Sequence, residues 1–352
     1  MKLVTGSCAL LFFGVLLQSC RADRDVAGLN GSRTVANRSA GEEGDDAGPV
    51  WGPWSTPVNL GPTINSSAND QHPGISRDGL SLYFTSDRQG GLGALDLYVS
   101  RRKSLTAPWG PPVNLGPNIN SAGNEMAPTF SRDGHLLYFH SAGRGGCGGY
   151  DLFVSHRRNK RDDLGWEPAR NLGCVVNSQF DDAGATIFED ENTGITTLYF
   201  TSNRPGGPGD FDIYASTRVG DDGEFGPGVL VAELSSPFRD TRTALRRDGL
   251  EIFLSSDSQG RIGGFGGQDL WVSTRATTVE PWSIPVNVGP TVNTPYFDGA
   301  PALSYDGTTL YFFSNRPGGL GGNDLYVTTR ARLRDSDDKD DDSDAKEKAD
   351  GK

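Results

Sequence analysis

Five carboxylates recur at one position of a repeated segment, three residues before a proline or the residue that takes its place: Asp70, Glu125, Asp182, Asp240 and Asp298. If the fold gathers these acids, each needs a cation, an arginine or hydrogen-bond donors beside it, or its pKa rises. Acids so placed could also supply a general acid and a general base. The structural alternative is that each acid caps backbone N–H groups of its own turn. Regular recurrence favours this alternative, because a repeated residue usually solves a repeated structural problem.

Three glycine-rich loops share the pattern Ser-x-Arg-x-Gly-Gly and contain Arg88, Arg204 and Arg316. Their glycines permit positive φ and could present N–H groups to a ligand. The arginines are also placed to brace a hairpin by pairing with the acids that open the following strand, which are Asp96, Asp212 and Asp324. We predict that these arginines and the five recurrent acids share the face that meets a ligand or partner.

Two cysteines outside the N-terminal segment occupy neighbouring predicted loops. Cys147 lies in the glycine-rich loop of the second repeat, and Cys174 lies in the connection to the third. We predict a disulfide between them in an oxidising compartment, with two free thiols as the alternative. The histidines show no metal-ligand spacing, so neither a metal nor a cofactor is predicted; they are His72, His135, His140 and His156.

The segments that contain these residues repeat five times. Each copy opens with an aromatic residue in the pattern Trp-x-x-Pro-Val-Asn-Leu-Gly, and the openers are spaced by 55, 57, 59 and 57 residues: Trp54, Trp109, Trp166, Phe225 and Trp282. An Asp-Gly turn, an aromatic strand and an Asp-Leu-Tyr-Val strand follow in most copies. The fourth copy matches least well, and we align its Glu251, Ile252 and Phe253 with the Leu-Tyr-Phe of the other copies. Four antiparallel strands per copy predict the blade of a β-propeller.

The two ends of the repeat region complement one another. The region begins with an outermost strand at 54–61 that has no blade of its own, and it finishes near Arg330 after a third strand that lacks a fourth. Joining the ends completes the last blade and leaves short, protected edges. The predicted fold is therefore an all-β, five-bladed propeller closed by its N-terminal strand.

Three further segments flank the propeller, which we place at 51–330. Residues 1–20 resemble a lipoprotein signal peptide, with an apolar run that ends in Leu-Gln-Ser-Cys and Cys20 as the lipidation site. Residues 21–50 read as a flexible linker, and 331–352 as an acidic disordered tail. We expect an exported bacterial outer-membrane lipoprotein, facing the periplasm or the cell surface, that meets the membrane through its lipid anchor only.

Charge narrows the choice of partners. The formal net charge is −12, which disfavours an electrostatic grip on nucleic acid phosphates. Cations, sugars and basic partners are favoured instead.

The repeat motif is similar to that of a known class. The string Ser-x-Asp-Gly-x-x-Leu-Tyr-Phe-x-Ser-x-Arg-x-Gly-Gly-x-Gly-x-x-Asp-Leu-Tyr resembles the WD-like repeats of TolB and of many bacterial envelope proteins, over 54–330. The resemblance implies a non-catalytic binding or scaffold propeller that presents one loop face to an envelope protein or a cell-wall glycan. The alternative is a propeller similar to the five-bladed glycoside hydrolases, with channel carboxylates among the five recurrent acids.

Overall fold

The computed structural model describes residues 49–220 and 223–333, so Cys20, the leader, the linker before Pro49 and the acidic tail lie outside the described residues. Twenty strands and two short 3₁₀ helices, Ala232–Leu234 and Ser258–Gly260, make up the regular structure. In chain order the strands are β1 (Val58–Asn59), β2 (Asp70–Ile75), β3 (Ser81–Ser86), β4 (Asp96–Arg101), β5 (Val113–Asn114), β6 (Asn124–Phe130), β7 (Leu136–Ala142), β8 (Tyr150–His156), β9 (Arg170–Asn171), β10 (Asp182–Asp190), β11 (Ile195–Ser202), β12 (Asp212–Val219), β13 (Val229–Leu230), β14 (Asp240–Leu245), β15 (Glu251–Asp257), β16 (Gln268–Thr274), β17 (Val286–Asn287), β18 (Asp298–Leu303), β19 (Thr309–Ser314) and β20 (Asp324–Thr329).

The strands form five antiparallel sheets of four strands each. Blades one to four are β2 to β5, β6 to β9, β10 to β13 and β14 to β17, and blade five has the order β1-β20-β19-β18. The first strands of neighbouring blades contact one another round the ring, so β2, β6, β10, β14 and β18 surround the axis. The predicted all-β, five-bladed propeller is confirmed.

Closure of the ring uses the strand predicted for it. Val58 of β1 pairs with Val327 of β20, and Asn59 pairs with Tyr326. Beyond the strand, Ser55 Oγ bonds Thr328 Oγ1 at 3.2 Å. The two ends of the propeller sequence are therefore held together by a sheet.

Asp-Gly turns join the first two strands of four blades. In blade one, Gly79 has a φ of 69°, and Asp78 accepts a hydrogen bond from the Leu80 N–H at 3.0 Å. The positive φ suits glycine, and the aspartate satisfies the turn's backbone. Register corrects one sequence alignment: in blade four, Ile252 rather than Glu251 occupies the place of Leu82, because Asp240 pairs with Ser256 as Asp70 pairs with Ser86.

The core consists of apolar layers between neighbouring blades. One layer packs Tyr83 and Leu97 of blade one against Phe139 of blade two and the opener Trp166. An arginine near the end of the third strand of each blade or just after it stacks on an opener ring, as Arg157 does on Trp166 at 4.4 Å. Apolar burial between blades thus fixes the ring that positions the axial side chains.

Each axial strand contains the same irregularity. A register shift follows the recurrent acid of every blade, and the residue two positions after that acid has a positive φ. These residues are His72 (50°), Ala127 (58°), Gly184 (63°), Arg242 (38°) and Ala300 (50°). A β-bulge re-aims a side chain, and here all five bulge residues line the axial cavity.

Candidate active site

The five recurrent acids lie below the surface and serve their own turns. Asp70, Glu125, Asp182, Asp240 and Asp298 are fully buried. Each accepts a hydrogen bond at 2.5 to 2.7 Å from the backbone N–H four residues earlier, which belongs to Ser66, Ser121, Ser178, Ser236 and Thr294. The arrangement is the turn-capping one that the sequence favoured.

An arginine also binds every one of these carboxylates. The five pairs, with N to O distances of 2.5 to 3.2 Å, are Arg88 with Asp70, Arg144 with Glu125, Arg204 with Asp182, Arg261 with Asp240 and Arg316 with Asp298. We call these pairs the acid clamps. Buried charges are tolerated when both partners are paired and hydrogen-bonded. The clamps therefore stabilise the fold, and none of these five acids is free to act on a substrate.

The predicted partners of three clamp arginines are wrong. Arg88 bonds Asp70 rather than Asp96, and Arg204 and Arg316 follow the same pattern. Asp96 instead accepts a bond from the Leu92 N–H at 2.5 Å and one from Asn114 at 3.2 Å. The glycine-rich loop folds over the strand-opening acid through its backbone, which leaves the arginine to reach the deeper carboxylate.

The structure joins Cys147 and Cys174 by a disulfide with a Cα to Cα distance of 5.5 Å. The bond ties the glycine-rich loop of blade two to the connection that leads into blade three. Neither cysteine lines the axial cavity.

A cavity of about 690 Å³ opens at the axis, on the side where the axial strands begin. We call it the funnel. Its size is within the usual range for small-ligand sites. Several rings line it together with charged and amide side chains: Tyr150, Phe211, Phe297 and Phe313, with Asp181, Asp257, Arg239, Arg242, Gln268, Asn315 and Asn323.

Arg242 forms the base of the funnel. Its side chain also lines a second cavity of about 140 Å³ along the far ends of the axial strands, so it separates the two. The guanidinium donates to four carbonyl oxygens at 2.7 to 3.5 Å, those of Pro73, Ala127, Pro128 and Ala185. Burial lowers the pKa of Arg242 to about 9, which leaves it a cation at neutral pH. No acid of the described chain forms an ion pair with it.

Two neutral histidines adjoin Arg242. Burial, reinforced by the charges of Arg242 and Arg239, lowers the pKa of His72 to about 3, and burial also lowers the pKa of His140. The Gly184 N–H donates to Nδ1 of His140 at 3.2 Å, which places the proton of that ring on Nε2. His72 Nδ1 and Arg242 Nε have no hydrogen-bond partner among the described residues.

Two carboxylates in the funnel stand outside the clamps. Asp257 ends β15 and is half-buried; burial raises its pKa, while the charge of Arg239 opposes the rise. Asp181 precedes β10, and its Oδ1 accepts a bond from the Tyr150 N–H at 2.9 Å. A carboxyl group whose pKa is raised and a second carboxyl group in the same cavity could supply the acid and the base that such catalysis needs.

Sequence reasoning missed these residues because it looked for what the copies share. At the position of Asp257 the other copies have Asp87, Ala142, Asn203 and Asn315. At the position of Arg242 they have His72, Ala127, Gly184 and Ala300. The sequence therefore contains a signal for Arg242, where blade four differs from every other blade, but a weaker one for Asp257, because its counterpart Asp87 is also an aspartate.

Among residues 49–220 and 223–333, no three His, Cys, Asp or Glu side chains are grouped to hold a metal ion. The same residues contain no helix of the length and apolarity that a bilayer crossing requires.

Comparison with known proteins gives a fold and no family. No family model matches the chain, and no curated protein matches it in sequence. Among solved structures, an α-L-arabinofuranosidase from Lactobacillus brevis is similar with a TM-score of 0.53 at 16% identity, over 79% of this chain and 94% of that one. The catalytic domain of a GH62 α-L-arabinofuranosidase from Coprinopsis cinerea is similar with a TM-score of 0.51 at 14% identity, over 79% and 97%. At such identities the likeness establishes the shared propeller fold.

These matches correct two expectations. The resemblance to WD-like and TolB-like repeats is contradicted, because the similar structures are glycoside hydrolases and only the propeller is common to both classes. The non-catalytic scaffold interpretation is contradicted with it. That interpretation depended on the lack of a recognisable site, whereas the funnel contains carboxylates outside the acid clamps.

Proposed function

We propose that this protein is a glycoside hydrolase whose substrate enters the funnel. The observation that supports this most directly is the placing of Asp257 and Asp181 in one axial cavity of about 690 Å³. The likeness to arabinofuranosidase propellers agrees with the proposal and does not by itself carry it.

The chemistry assigns one role to each carboxylate. Asp257, whose pKa is raised by burial, donates its proton to the glycosidic oxygen as the bond from that oxygen to the anomeric carbon breaks. Asp181, held by the Tyr150 N–H, removes a proton from the water whose oxygen joins the anomeric carbon. The two sugars and one water then account for every atom, and the carboxylates exchange their protonation states.

Aromatic rings supply a surface for sugar binding. Phe297 and Phe313 line the funnel, and Phe238, Phe265 and Tyr296 are exposed on neighbouring loops of blades four and five. Aromatic faces bury the apolar C–H faces of sugars, while amide side chains such as Asn315 and Asn323 suit the hydroxyls. We therefore place the bound glycan on the side of the funnel that blades four and five form.

The test measures release of reducing sugar from arabinan, arabinoxylan, galactan and fructan. A carboxylated form of each polysaccharide is assayed beside the neutral form. We expect one class to be cleaved and Asp257→Asn and Asp181→Asn each to lower turnover by about 10²- to 10⁴-fold. The matched control is Asp87→Asn, which changes the exposed blade-one counterpart of Asp257 and should leave turnover unchanged. Absence of cleavage across the panel, or turnover that survives both funnel substitutions, contradicts the proposal.

We also propose that the chain is exported and attached to the bacterial outer membrane through a lipid on Cys20. The leader sequence supports this, since its apolar run stops at that cysteine. Labelling with palmitate should be lost in Cys20→Ala and retained in Cys8→Ala. Labelling that persists in Cys20→Ala would exclude the anchor.

A further inference from the structure

We propose that the base of the funnel binds the carboxylate of an acidic sugar, so that the glycan taken by this protein contains uronic acid residues. That the bound glycan is a substrate rests on the proposed function. The anion-binding site itself is argued from Arg242, Arg239 and the funnel.

Arg242 is a buried cation without a counter-ion. It is 4% exposed, it lines the funnel, and none of the described acids pairs with it. Four carbonyl oxygens hold its terminal nitrogens, and its Nε retains a proton with no acceptor. A buried charge without a counter-ion is unfavourable, and a bound anion would offset that cost. The fixed guanidinium is thus a ready-made site for a carboxylate.

A second cation lies nearer the mouth of the funnel. Arg239 is exposed, lines the same cavity, and stacks on Phe211 with 4.7 Å between the guanidinium carbon and the ring centre. Stacking on an aromatic ring leaves the guanidinium edge free to bind an anion in its plane.

The surroundings of the base agree with a positive potential. Every charged side chain that acts on His72 is a cation, Arg242 first and Arg239 second, and His72 itself is neutral. Nδ1 of His72 is a further buried atom without a partner, next to the cavity. Asp257, by contrast, lies within the field of Arg239. The funnel is therefore polarised, with arginines for an acidic group and a protonatable carboxyl for the bond to be cleaved.

Uncharged sugars would leave the charge of Arg242 uncompensated. A neutral glycan offers only hydroxyls, whereas a uronate presents an anionic oxygen that can accept from the one free N–H of Arg242, at Nε. Specificity of this kind arises because the wrong ligand leaves a buried group unpaired.

The experiment measures binding by calorimetry with the full chain, using Asp181→Asn combined with Asp257→Asn to prevent turnover. The probes are trigalacturonate and its methyl ester, together with neutral galactotriose. We expect trigalacturonate to bind about 10- to 100-fold more tightly than the ester or the neutral sugar, as for a charge-assisted hydrogen bond. Equal affinities overturn the inference, and this comparison on the ligand side needs no change at Arg242.

Variants then distinguish an anion-binding role of Arg242 from a purely structural role, in which its side chain only fills the base of the funnel as a plug. Arg242→Met should reduce the preference for the acidic probe to within about threefold, and Arg239→Met, at an exposed position, should reduce it in part. A plug would lower the affinities for all three probes equally. The two proposals can fail separately: acidic binding without any turnover removes the hydrolase, and turnover of neutral glycans alone removes the uronate site.

Discussion

Blades one and four occupy equivalent places in the ring and use the same positions differently. Asp70 and Asp240 are both buried, and each is clamped by an arginine. Around that shared pair, the two blades differ at two positions that face the funnel or its rim, Asn69 against Arg239 and His72 against Arg242. At a third position both have an aspartate, but Asp87 is exposed whereas Asp257 is half-buried in the funnel. The clamped pair that the blades share builds the ring, and the residues and burial in which they differ supply the chemistry of the cavity.

The largest effect is expected from removing the closing strand. A chain without 51–61 lacks β1 and its pairing with β20, so blade five has an open edge and blades five and one lose part of their shared core. We expect loss of cooperative unfolding in urea, followed by near-ultraviolet circular dichroism. Removal of 335–352 serves as the control and should leave the midpoint unchanged. A cooperative transition at the original midpoint in the shortened chain would show that the ring closes without β1.

Next in size is the contrast between a clamped acid and a funnel acid. Asp240→Asn leaves the largely buried side chain of Arg261 without its anion, which should lower the free energy of unfolding by about 3 to 5 kcal/mol. Asp257→Asn should change it by less than about 1 kcal/mol, because burial already disfavours the charged form of Asp257. Equal losses measured by urea titration would mean that the two acids have the same role.

Much of the fold could be predicted from the sequence because it is repeated. Five openers at near-constant spacing, Asp-Gly turns such as Asp78-Gly79 and an unpaired strand at each end determine the blade, the count and the closure. The strand register in blade four is harder to predict than the strand count. Matching Phe253 with Phe84 places Glu251 opposite Leu82, whereas the pairing of Asp240 with Ser256 shows that Ile252 belongs there.

The site could not be predicted in the same way. A search for residues that the blades share finds the acid clamps. Their acids are fully buried because each one caps the backbone of its own turn. Arg242 emerges only when the bulge is known, since a φ of 38° after Asp240 turns a residue of an axial strand towards the cavity. The distinction between a clamped and a free carboxylate is likewise one of burial, which spacing along the chain does not contain.

A smaller effect concerns the loss of folding stability at low pH that His72 causes. Its pKa is about 3 in the folded chain and near 6.5 when unfolded, so between those values the unfolded state binds a proton that the folded state does not. Stability therefore falls as the pH is lowered through this window, by up to about 1.4 kcal/mol per pH unit. His72→Phe should flatten the fall in urea titrations from pH 7 to about pH 4, and His156→Phe, at a half-exposed site, should not. Parallel curves for wild type and His72→Phe would contradict the shift.

The smallest expected effect separates Arg239 from the exposed arginines that do not adjoin the funnel. Its charge lowers the pKa that burial raises at Asp257, so Arg239→Met should let that pKa rise further. A general acid works only while protonated, so the alkaline limb of kcat/KM should then move to higher pH, by a small amount because solvent screens Arg239. Arg158→Met, whose side chain is 92% exposed outside the funnel, is the matched control. A limb that moves to lower pH, or that moves equally in both variants, would remove Asp257 from the role of acid and return blade four to the purely structural role of its neighbours.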